Sequence, residues 1–164
     1  MESNLKDDLP QVQPGDELLK LDNQLCFVLY AASRAMTKLY RPLLDNLGLT
    51  YPQYIVLLAL WQWRLEDPDR LVFVKELGER LYLDSGTLTP LLKRMEQNGL
   101  LVRARSAEDE RGVTIQLTDK AMDLKKDAVS IPKTLVCDPT VPFTEMVAVK
   151  QTLETFLHRV HKVE

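Results

Sequence analysis

Apolar residues recur at steps of three and four between residues 21 and 47, which is the period of an amphipathic α-helix. The apolar positions are Leu25, Val28, Leu29, Ala32, Ala35, Met36, Leu39, Leu43 and Leu47. Asp22 is a candidate cap at the start of this helix, Pro42 is expected to kink or interrupt it, and Gly48 is expected to end it. Residues 1–20, which precede the helix, are predicted to form a flexible arm.

Three further helices are indicated between residues 50 and 99. Residues 50–53, Thr-Tyr-Pro-Gln, form a capping-box pattern. The run 54–63 that follows is apolar nearly all round, so the helix predicted there should be buried. A short amphipathic helix is predicted at 73–82. Another is predicted at 84–99, capped by Asp84-Ser85 and ended by Gly99, with an apolar stripe at Leu88, Leu91, Leu92 and Met95.

Two short runs of alternating residues, 100–105 and 112–117, come next, and the polar segment 106–111 lies between them. This pattern is typical of a β-hairpin. A short helix, a turn, a second helix with polar residues off its apolar stripe and then a hairpin is the order of a winged helix-turn-helix. The predicted fold class is therefore mainly α with a small β-hairpin wing.

The C-terminal part of the chain is predicted to return to helix. Thr118 is expected to cap a helix at 119–129, and a loop at 130–142 that contains Cys137 is expected to lead into a last helix at 144–162. The first and last predicted helices are more apolar than helices that are mostly exposed to solvent.

Composition limits the possible functions. The chain has 164 residues, of which 45% are hydrophobic, a size that suits one globular domain. It has no signal-peptide pattern at its start and no apolar run long enough to span a bilayer, so a cytoplasmic protein is expected. Its net charge of −3 means that binding to a polyanion would need a local basic surface.

Candidate residues for such a surface lie on the helix at 84–99 and along the hairpin. Basic side chains neutralise phosphates, and small hydroxyls reach phosphates or base edges. For each residue the alternative is an ordinary solvated position, and acidic residues such as Glu96 dilute the positive field. The candidates are Ser85, Thr87, Thr89, Lys93, Arg94, Arg103, Arg105 and Arg111.

Two motifs resemble a known family. Residues 109–112, Asp-Glu-Arg-Gly, followed by Leu117-Thr118, resemble the wing of MarR-family winged-helix regulators, and the run 77–96 is similar to the helix-turn-helix of the organic hydroperoxide resistance branch, OhrR. The resemblance covers most of residues 20–130. It implies that the arginine at 111 enters a minor groove of duplex DNA and that Asp109 orients it.

The same resemblance implies a domain organisation. The fold would be a homodimer built from N- and C-terminal helices, here 21–49 and 119–164, and the DNA-binding lobe would be 50–118. Together these would make a single MarR-like domain, 21–164, that binds a pseudo-palindromic operator. No cofactor, metal or membrane partner is expected.

The two cysteines, Cys26 and Cys137, are too few for a disulfide framework. Cys26 lies near the start of the first predicted helix, where the helix dipole favours a thiolate, and a thiolate reacts with a peroxide to give a sulfenic acid. Without the resemblance, a cysteine in an apolar helix is more often a small core residue. With it, Cys26 is the expected sensor, Tyr40 and Tyr51 the expected supporting phenols from the partner subunit, and Cys137 the expected resolving thiol.

The expected function is a transcriptional repressor that releases DNA when an organic hydroperoxide oxidises Cys26 and an intersubunit disulfide forms with Cys137. One alternative is a MarR-type repressor released by a small aromatic ligand, with Cys26 structural. A thiol peroxidase that uses both cysteines, or an adaptor dimer that does not bind DNA, are further alternatives. A sensor thiol reacts once per signal, so enzymatic turnover is not expected.

Overall fold

The computed structural model describes residues 15–105, 112–136 and 142–161. Asp109 and Arg111 at the predicted wing tip, and the predicted resolving residue Cys137, lie outside these ranges. The elements in chain order are α1 Leu25–Asp45, α2 Tyr51–Glu66, β1 Val72–Phe73, α3 Val74–Leu81, α4 Ser85–Gln97, β2 Leu101–Arg105, β3 Val113–Leu117, α5 Asp119–Ala128, α6 Ser130–Val136 and α7 Phe143–His161.

The start of α1 differs from the prediction. Two 3-10 turns, Asp16–Leu19 and Leu21–Asn23, precede the helix, and Gln24 has an extended backbone, so α1 begins at Leu25 and Asp22 does not cap it. The expected interruption at Pro42 is also absent, because α1 continues to Asp45. A proline this close to the end of a helix removes one backbone hydrogen bond, and the remaining turn is still supported.

Helix α2 forms the centre of the core and confirms the predicted capping box, in which the Thr50 backbone N–H donates to Gln53 Oε1 over 2.9 Å. Half of its residues are buried. Trp61, which is 4% exposed, donates from Nε1 to the backbone oxygen of Ala121 over 3.1 Å. That hydrogen bond ties α2 to α5.

Helices α3 and α4 form the helix-turn-helix. Tyr82 ends α3 in the left-handed conformation with φ 54°, and it is the only non-glycine residue with positive φ among those described. The Leu83 backbone N–H donates to the Gly78 oxygen over 2.9 Å, which closes the end of α3 as a Schellman motif does. A Cβ on Gly78 would lie 2.9 Å from the Leu83 oxygen, so the turn is this tight only because residue 78 is glycine.

A three-stranded antiparallel sheet has the order β1-β3-β2, with β1 before the helix-turn-helix in the chain and β2 and β3 after it. The predicted hairpin is confirmed, with Leu101 opposite Leu117 and Arg105 opposite Val113. The sequence prediction missed β1, in which Val72 pairs with Ile115, because two residues are too few to show an alternating pattern.

The C-terminal part contains one more helix than expected. Thr118 caps α5 as predicted, accepting a hydrogen bond at Oγ1 from the Ala121 N–H over 3.3 Å. The predicted loop at 130–142 is wrong in its first half, where α6 forms. Pro132 lies in the first turn of α6, where a backbone N–H would have no acceptor within the helix, so the missing N–H of proline costs no helical hydrogen bond.

The chain divides into two compact units, one ending at Tyr40 and the other beginning at Arg41. The mainly helical composition, the helix-turn-helix and the adjoining hairpin confirm the predicted fold class. The domain boundaries predicted at 20/21, 49/50 and 118/119 stay predictions.

Candidate nucleic-acid interface and redox centre

One side of α4 is buried and the other carries the predicted hydroxyl and basic side chains. The apolar stripe of Leu88, Leu91, Leu92 and Met95 is 5% exposed or less. This burial fixes the rotation of α4 about its axis, so the opposite side is available to a partner. The side chains exposed there are Ser85, Thr87, Thr89, Lys93 and Arg94.

The start of α4 is capped by Asp84. Its Oδ1 accepts from the Thr87 backbone N–H over 2.9 Å, and its Oδ2 accepts from the Thr87 hydroxyl over 3.0 Å. These hydrogen bonds hold the pKa of Asp84 below its ordinary value. Because the Thr87 proton is used within the chain, that hydroxyl is left to accept a hydrogen bond from a partner.

Arg103 joins the wing to α4. Its backbone N–H donates to Glu96 Oε1 over 2.9 Å, and its Nε and Nη2 donate to Glu96 Oε2 over 3.1 and 2.8 Å. The Arg103 guanidinium lowers the pKa of Glu96. The sequence predicts that Arg103 contacts DNA and that Glu96 only weakens the positive field. It does not predict their ion pair, because the two residues are seven apart on different elements and no helical or strand period brings them together. A contact of Arg103 with phosphate stays a prediction.

Three basic residues of this surface remain available to bind phosphate, namely Lys93, Arg94 and Arg105. All three are exposed, and within residues 15–105, 112–136 and 142–161 none of them takes part in an ion pair. Asp109 and Arg111, which the resemblance places at the wing tip, lie outside the described residues. The local basic surface that a DNA-binding chain of net negative charge needs is therefore present on α4 and at the end of β2.

A groove of about 1180 Å³ lies between α3, α4 and the hairpin. Phe73, Leu83, Leu88 and Val113 contribute to its lining. At one side the ring of His161 from α7 stacks on that of Tyr82, with 4.3 Å between the ring centroids. The groove offers an apolar space beside the helix-turn-helix, and it is the candidate site for the alternative in which a small aromatic ligand releases DNA.

Cys26 is the second residue of α1 and its side chain is exposed. The first four backbone N–H groups of a helix have no partner within it, so a sulfur at this position lies where positive potential is concentrated. Tyr30 and Arg34 follow at intervals of four residues on the same side of the helix. Arg34 Nη1 donates to Tyr30 Oη over 3.0 Å, a pair that sequence reasoning missed although its spacing was visible.

The two predicted supporting phenols, Tyr40 and Tyr51, are both half-buried. Tyr51 opens α2 inside the capping box, and burial raises the pKa of its phenol above the ordinary value. The contact of these tyrosines with Cys26 of a partner subunit stays a prediction.

None of the helices among the described residues combines the length and apolar character needed to cross a membrane. Among those same residues, no three His, Cys, Asp or Glu side chains come together in a way that could hold a metal ion.

Comparison with known proteins identifies relatives of the whole fold. Residues 38–128 match the family model "Transcriptional regulator SarA/Rot". The organic hydroperoxide resistance transcriptional regulator of Bacillus subtilis (strain 168) is 52% identical over 144 residues, which are 88% of this chain and 94% of that protein.

Several solved structures are also similar to this chain, among them structures of AbfR. The structure of reduced AbfR bound to DNA is 34% identical, with a TM-score of 0.72, covering 90% of this chain and 98% of that one. A structure of disulfide-formed AbfR is 35% identical, with a TM-score of 0.60, covering 90% and 96%. A further AbfR structure is described as coming from Staphylococcus epidermidis.

Proposed function

Since the chain belongs to the MarR-type winged-helix transcription regulators, in the organic hydroperoxide resistance branch, we propose that it is a repressor whose DNA binding is switched off by oxidation of Cys26. The observation that carries the proposal is the coexistence of two features: an exposed basic and hydroxyl side of α4, and an exposed cysteine at the start of α1. Its relatives are named as transcription regulators, and we expect it to act in the cytoplasm.

DNA binding is supported by the orientation of α4. The buried stripe leaves Lys93, Arg94 and the hydroxyls of the first turns outward, at the helix that MarR-type regulators insert in a major groove. Asp84 puts a negative charge at the start of α4, which disfavours a phosphate there and leaves that role to the basic residues further along. The DNA complex of a relative that is 34% identical supports the same use of the fold.

A homodimer is supported by the exposed apolar side chains of the two end helices. Exposed contiguous apolar surface on a chain of this size marks an interaction site. On α1 these side chains are Leu25, Val28, Met36 and Leu39, and on α7 they are Phe143, Val147, Val149, Leu153, Phe156, Leu157 and Val160. Two copies would place two α4 helices on the half-sites of a palindromic operator, about one helical turn apart.

The switch begins with the deprotonated Cys26, which attacks an oxygen of an organic hydroperoxide. A sulfur–oxygen bond forms, the O–O bond breaks, the sulfur becomes a sulfenic acid and the peroxide is reduced to an alcohol. The thiol of Cys137 from the other subunit then displaces the hydroxyl as water, and a disulfide results. Support for this second step comes from the disulfide-formed structure of AbfR.

Tyr40 and Tyr51 would stabilise the reduced state by donating hydrogen bonds to the Cys26 thiolate across the dimer. Oxidation of the sulfur would remove these contacts. The disulfide would then shift the terminal helices and change the spacing of the two DNA-binding lobes, which lowers operator affinity.

The proposal is tested on the reduced protein with stoichiometric cumene hydroperoxide, on a non-reducing gel and in an operator-binding titration. Wild type should form a covalent dimer and release DNA, whereas Cys26→Ser and Cys137→Ser should form no covalent dimer. A dithiol should reverse both effects. If Cys26 keeps its free thiol and DNA stays bound, the sensor proposal is wrong and a ligand-released repressor becomes the leading account. Many turnovers per subunit with a thiol reductant would instead indicate a peroxidase.

A further inference from the structure

Glu96 occupies a position on α4 that the electrostatics of a helix disfavours. It lies in the last turn of α4, which ends at Gln97, where carbonyl groups without helical partners concentrate negative potential. A carboxylate is repelled there. The pKa of Glu96 is nevertheless lowered, because Arg103 donates hydrogen bonds to the carboxylate. Glu96 is therefore ionised at neutral pH, and the attraction of Arg103 outweighs the repulsion from the end of the helix.

The Glu96 carboxylate holds both the backbone and the side chain of Arg103. Strand β2 is an edge strand, since β3 is its only neighbour in the described sheet. The Arg103 backbone N–H donates to Glu96 Oε1 over 2.9 Å, so it points away from β3 and toward α4. The guanidinium donates to Oε2 from Nε and Nη2 over 3.1 and 2.8 Å. We call this arrangement the Glu96–Arg103 clamp, and its hydrogen bonds leave β2 little freedom to pivot against α4.

The clamp also neutralises the charge of Arg103. The Arg103 side chain is 24% exposed and that of Glu96 is 34% exposed. By contrast, the unpaired basic residues of this surface are all exposed, namely Lys93, Arg94 and Arg105. A cation already paired with a carboxylate adds no net positive charge to a surface, and binding of phosphates depends on that charge. Arg103 is therefore poorly suited to bind phosphate, although it lies among residues that are well suited to it.

The position of Arg105 on the hairpin follows from the clamp. Side chains two apart on a strand lie on the same face of the sheet, roughly 7 Å apart along it. Because the Arg103 side chain reaches toward α4, Arg105 lies on the face of the sheet that is turned to α4. Arg103 and Thr89, which is on the exposed side of α4, line the same groove between α4 and the hairpin. A pivot of β2 at Arg103 would therefore change the distance between Arg105 and the exposed side of α4.

We propose that Arg103 contributes to DNA binding as a positioning residue, which Glu96 holds so that Arg105 and the exposed side of α4 contact the phosphates of one duplex together. The inference rests on the proposed function, since it concerns the same DNA-binding surface. A rigid link reduces the ordering that binding requires, and preorganised groups bind more tightly than the same groups on mobile segments. Glu96 then strengthens binding to a polyanion although it is itself negative.

The direction of the effect at Glu96 separates this role from a direct contact of Arg103 with phosphate. The probe is a duplex of about 30 base pairs, long enough for two half-sites one helical turn apart, which the reduced wild-type protein selects from a random pool. Its affinity is measured by fluorescence anisotropy at several salt concentrations for wild type, Glu96→Gln and Arg103→Gln. Glutamine keeps the size of Glu96 and one acceptor oxygen, so the variant retains the fold.

If Arg103 bound phosphate directly, Glu96→Gln would free the guanidinium and remove a negative charge, so affinity would stay the same or rise. We expect affinity to fall by about 10-fold in Glu96→Gln and by a similar factor in Arg103→Gln, which is the size of one lost hydrogen bond to a charged group. The double variant should bind no more weakly than either single variant, because both changes open the same clamp.

The cost of a second substitution excludes a general loss of structure. Arg105→Gln should weaken binding by about 10-fold in the wild-type background. In the Glu96→Gln background it should weaken binding by less than about 2-fold, because a misplaced Arg105 has already lost its phosphate. Lys93→Gln is the matched control. Since Lys93 lies on α4 itself, its substitution should cost the same in both backgrounds.

Unchanged or tighter binding by Glu96→Gln, or an equal cost of Arg105→Gln in both backgrounds, overturns the inference while DNA binding stands. A cost of Lys93→Gln that also shrinks in the Glu96→Gln background would indicate a general distortion of α4, and it overturns the inference too. If the wild-type protein selects no duplex, and its binding to random duplexes does not respond to salt, the proposed DNA-binding function is refuted and the inference with it.

Discussion

Gly78 lies where the fold of the helix-turn-helix leaves no space for a side chain. A glycine inside a helix usually gains about 0.5–1 kcal/mol of stability when it is changed to alanine. Here the new Cβ would lie 2.9 Å from the backbone oxygen of Leu83 and 3.5 Å from a methyl group of Leu88. The oxygen belongs to the turn between α3 and α4, so it moves only if the turn opens. Overpacking of this kind typically costs about 1–3 kcal/mol, so the net expectation for Gly78→Ala is a loss of about 1–2 kcal/mol.

The loss is measured by urea unfolding followed through the fluorescence of the two buried tryptophans, Trp61 and Trp63. For a chain of this size it corresponds to a fall in Tm of about 2–8 °C. Gly86→Ala is the matched comparison, because its new Cβ would meet no backbone atom and only Asp84 Oδ1, at 3.0 Å. Its cost should be limited to a weakened Asp84 cap, about 1 kcal/mol at most, and so be smaller than that of Gly78→Ala. Operator affinity should fall with Gly78→Ala as the angle between α3 and α4 changes. A Gly78→Ala variant as stable as wild type would refute the reasoning.

Three further predictions concern single contacts. Arg94→Gln should weaken DNA binding about equally across sequences and reduce the salt slope by about 1, whereas Lys126→Gln, on α5, should leave the slope unchanged. Trp61→Phe removes the hydrogen bond from the buried indole to α5 and leaves unfilled space in the core, so the free energy of unfolding should fall by about 1–3 kcal/mol, and an unchanged urea midpoint would contradict this. The pKa of Glu96 is lowered in the folded protein, so its pair with Arg103 stabilises the fold at pH values above the ordinary pKa of 4.5. This stabilisation is lost as the pH falls through the pKa of the folded state. The Tm of Glu96→Gln should therefore lie below that of wild type at neutral pH and approach it in acid.

The elements that the sequence predicted well are those whose local patterns agree with their tertiary setting. The capping box at Thr50, the Asp84 cap and the stripe of α4 all carry their own start signal and their own buried face. The elements that were missed depend on partners elsewhere. The strand β1 exists because Val72 pairs with Ile115, and α6 forms despite Pro132 because the proline happens to lie in its first turn.

The candidate site shows the same division. Residue types and spacing were enough to find the exposed side of α4, because a buried stripe determines what faces outward. They were not enough to find the clamp between Arg103 and Glu96, which depends on how the chain turns between α4 and β2. Nor does helical spacing alone say whether Tyr30 gives or receives the hydrogen bond that it shares with Arg34; the identity of its partner decides that.

The exposed surfaces of this chain differ in a way that limits how the switch can work. The exposed side of α4 is basic and hydroxyl-rich, whereas the exposed residues beside Cys26 on α1, such as Leu25 and Val28, are apolar. In the proposed switch, oxidation of Cys26 would change the chemistry of the proposed dimer interface and leave the basic and hydroxyl side chains of α4 as they are. Release would then come from a change in how the two subunits are held, and the oxidised protein should still bind duplex DNA weakly through one lobe at a time. Weak binding of that kind would neutralise fewer phosphates, so its salt slope should be smaller than that of the reduced dimer.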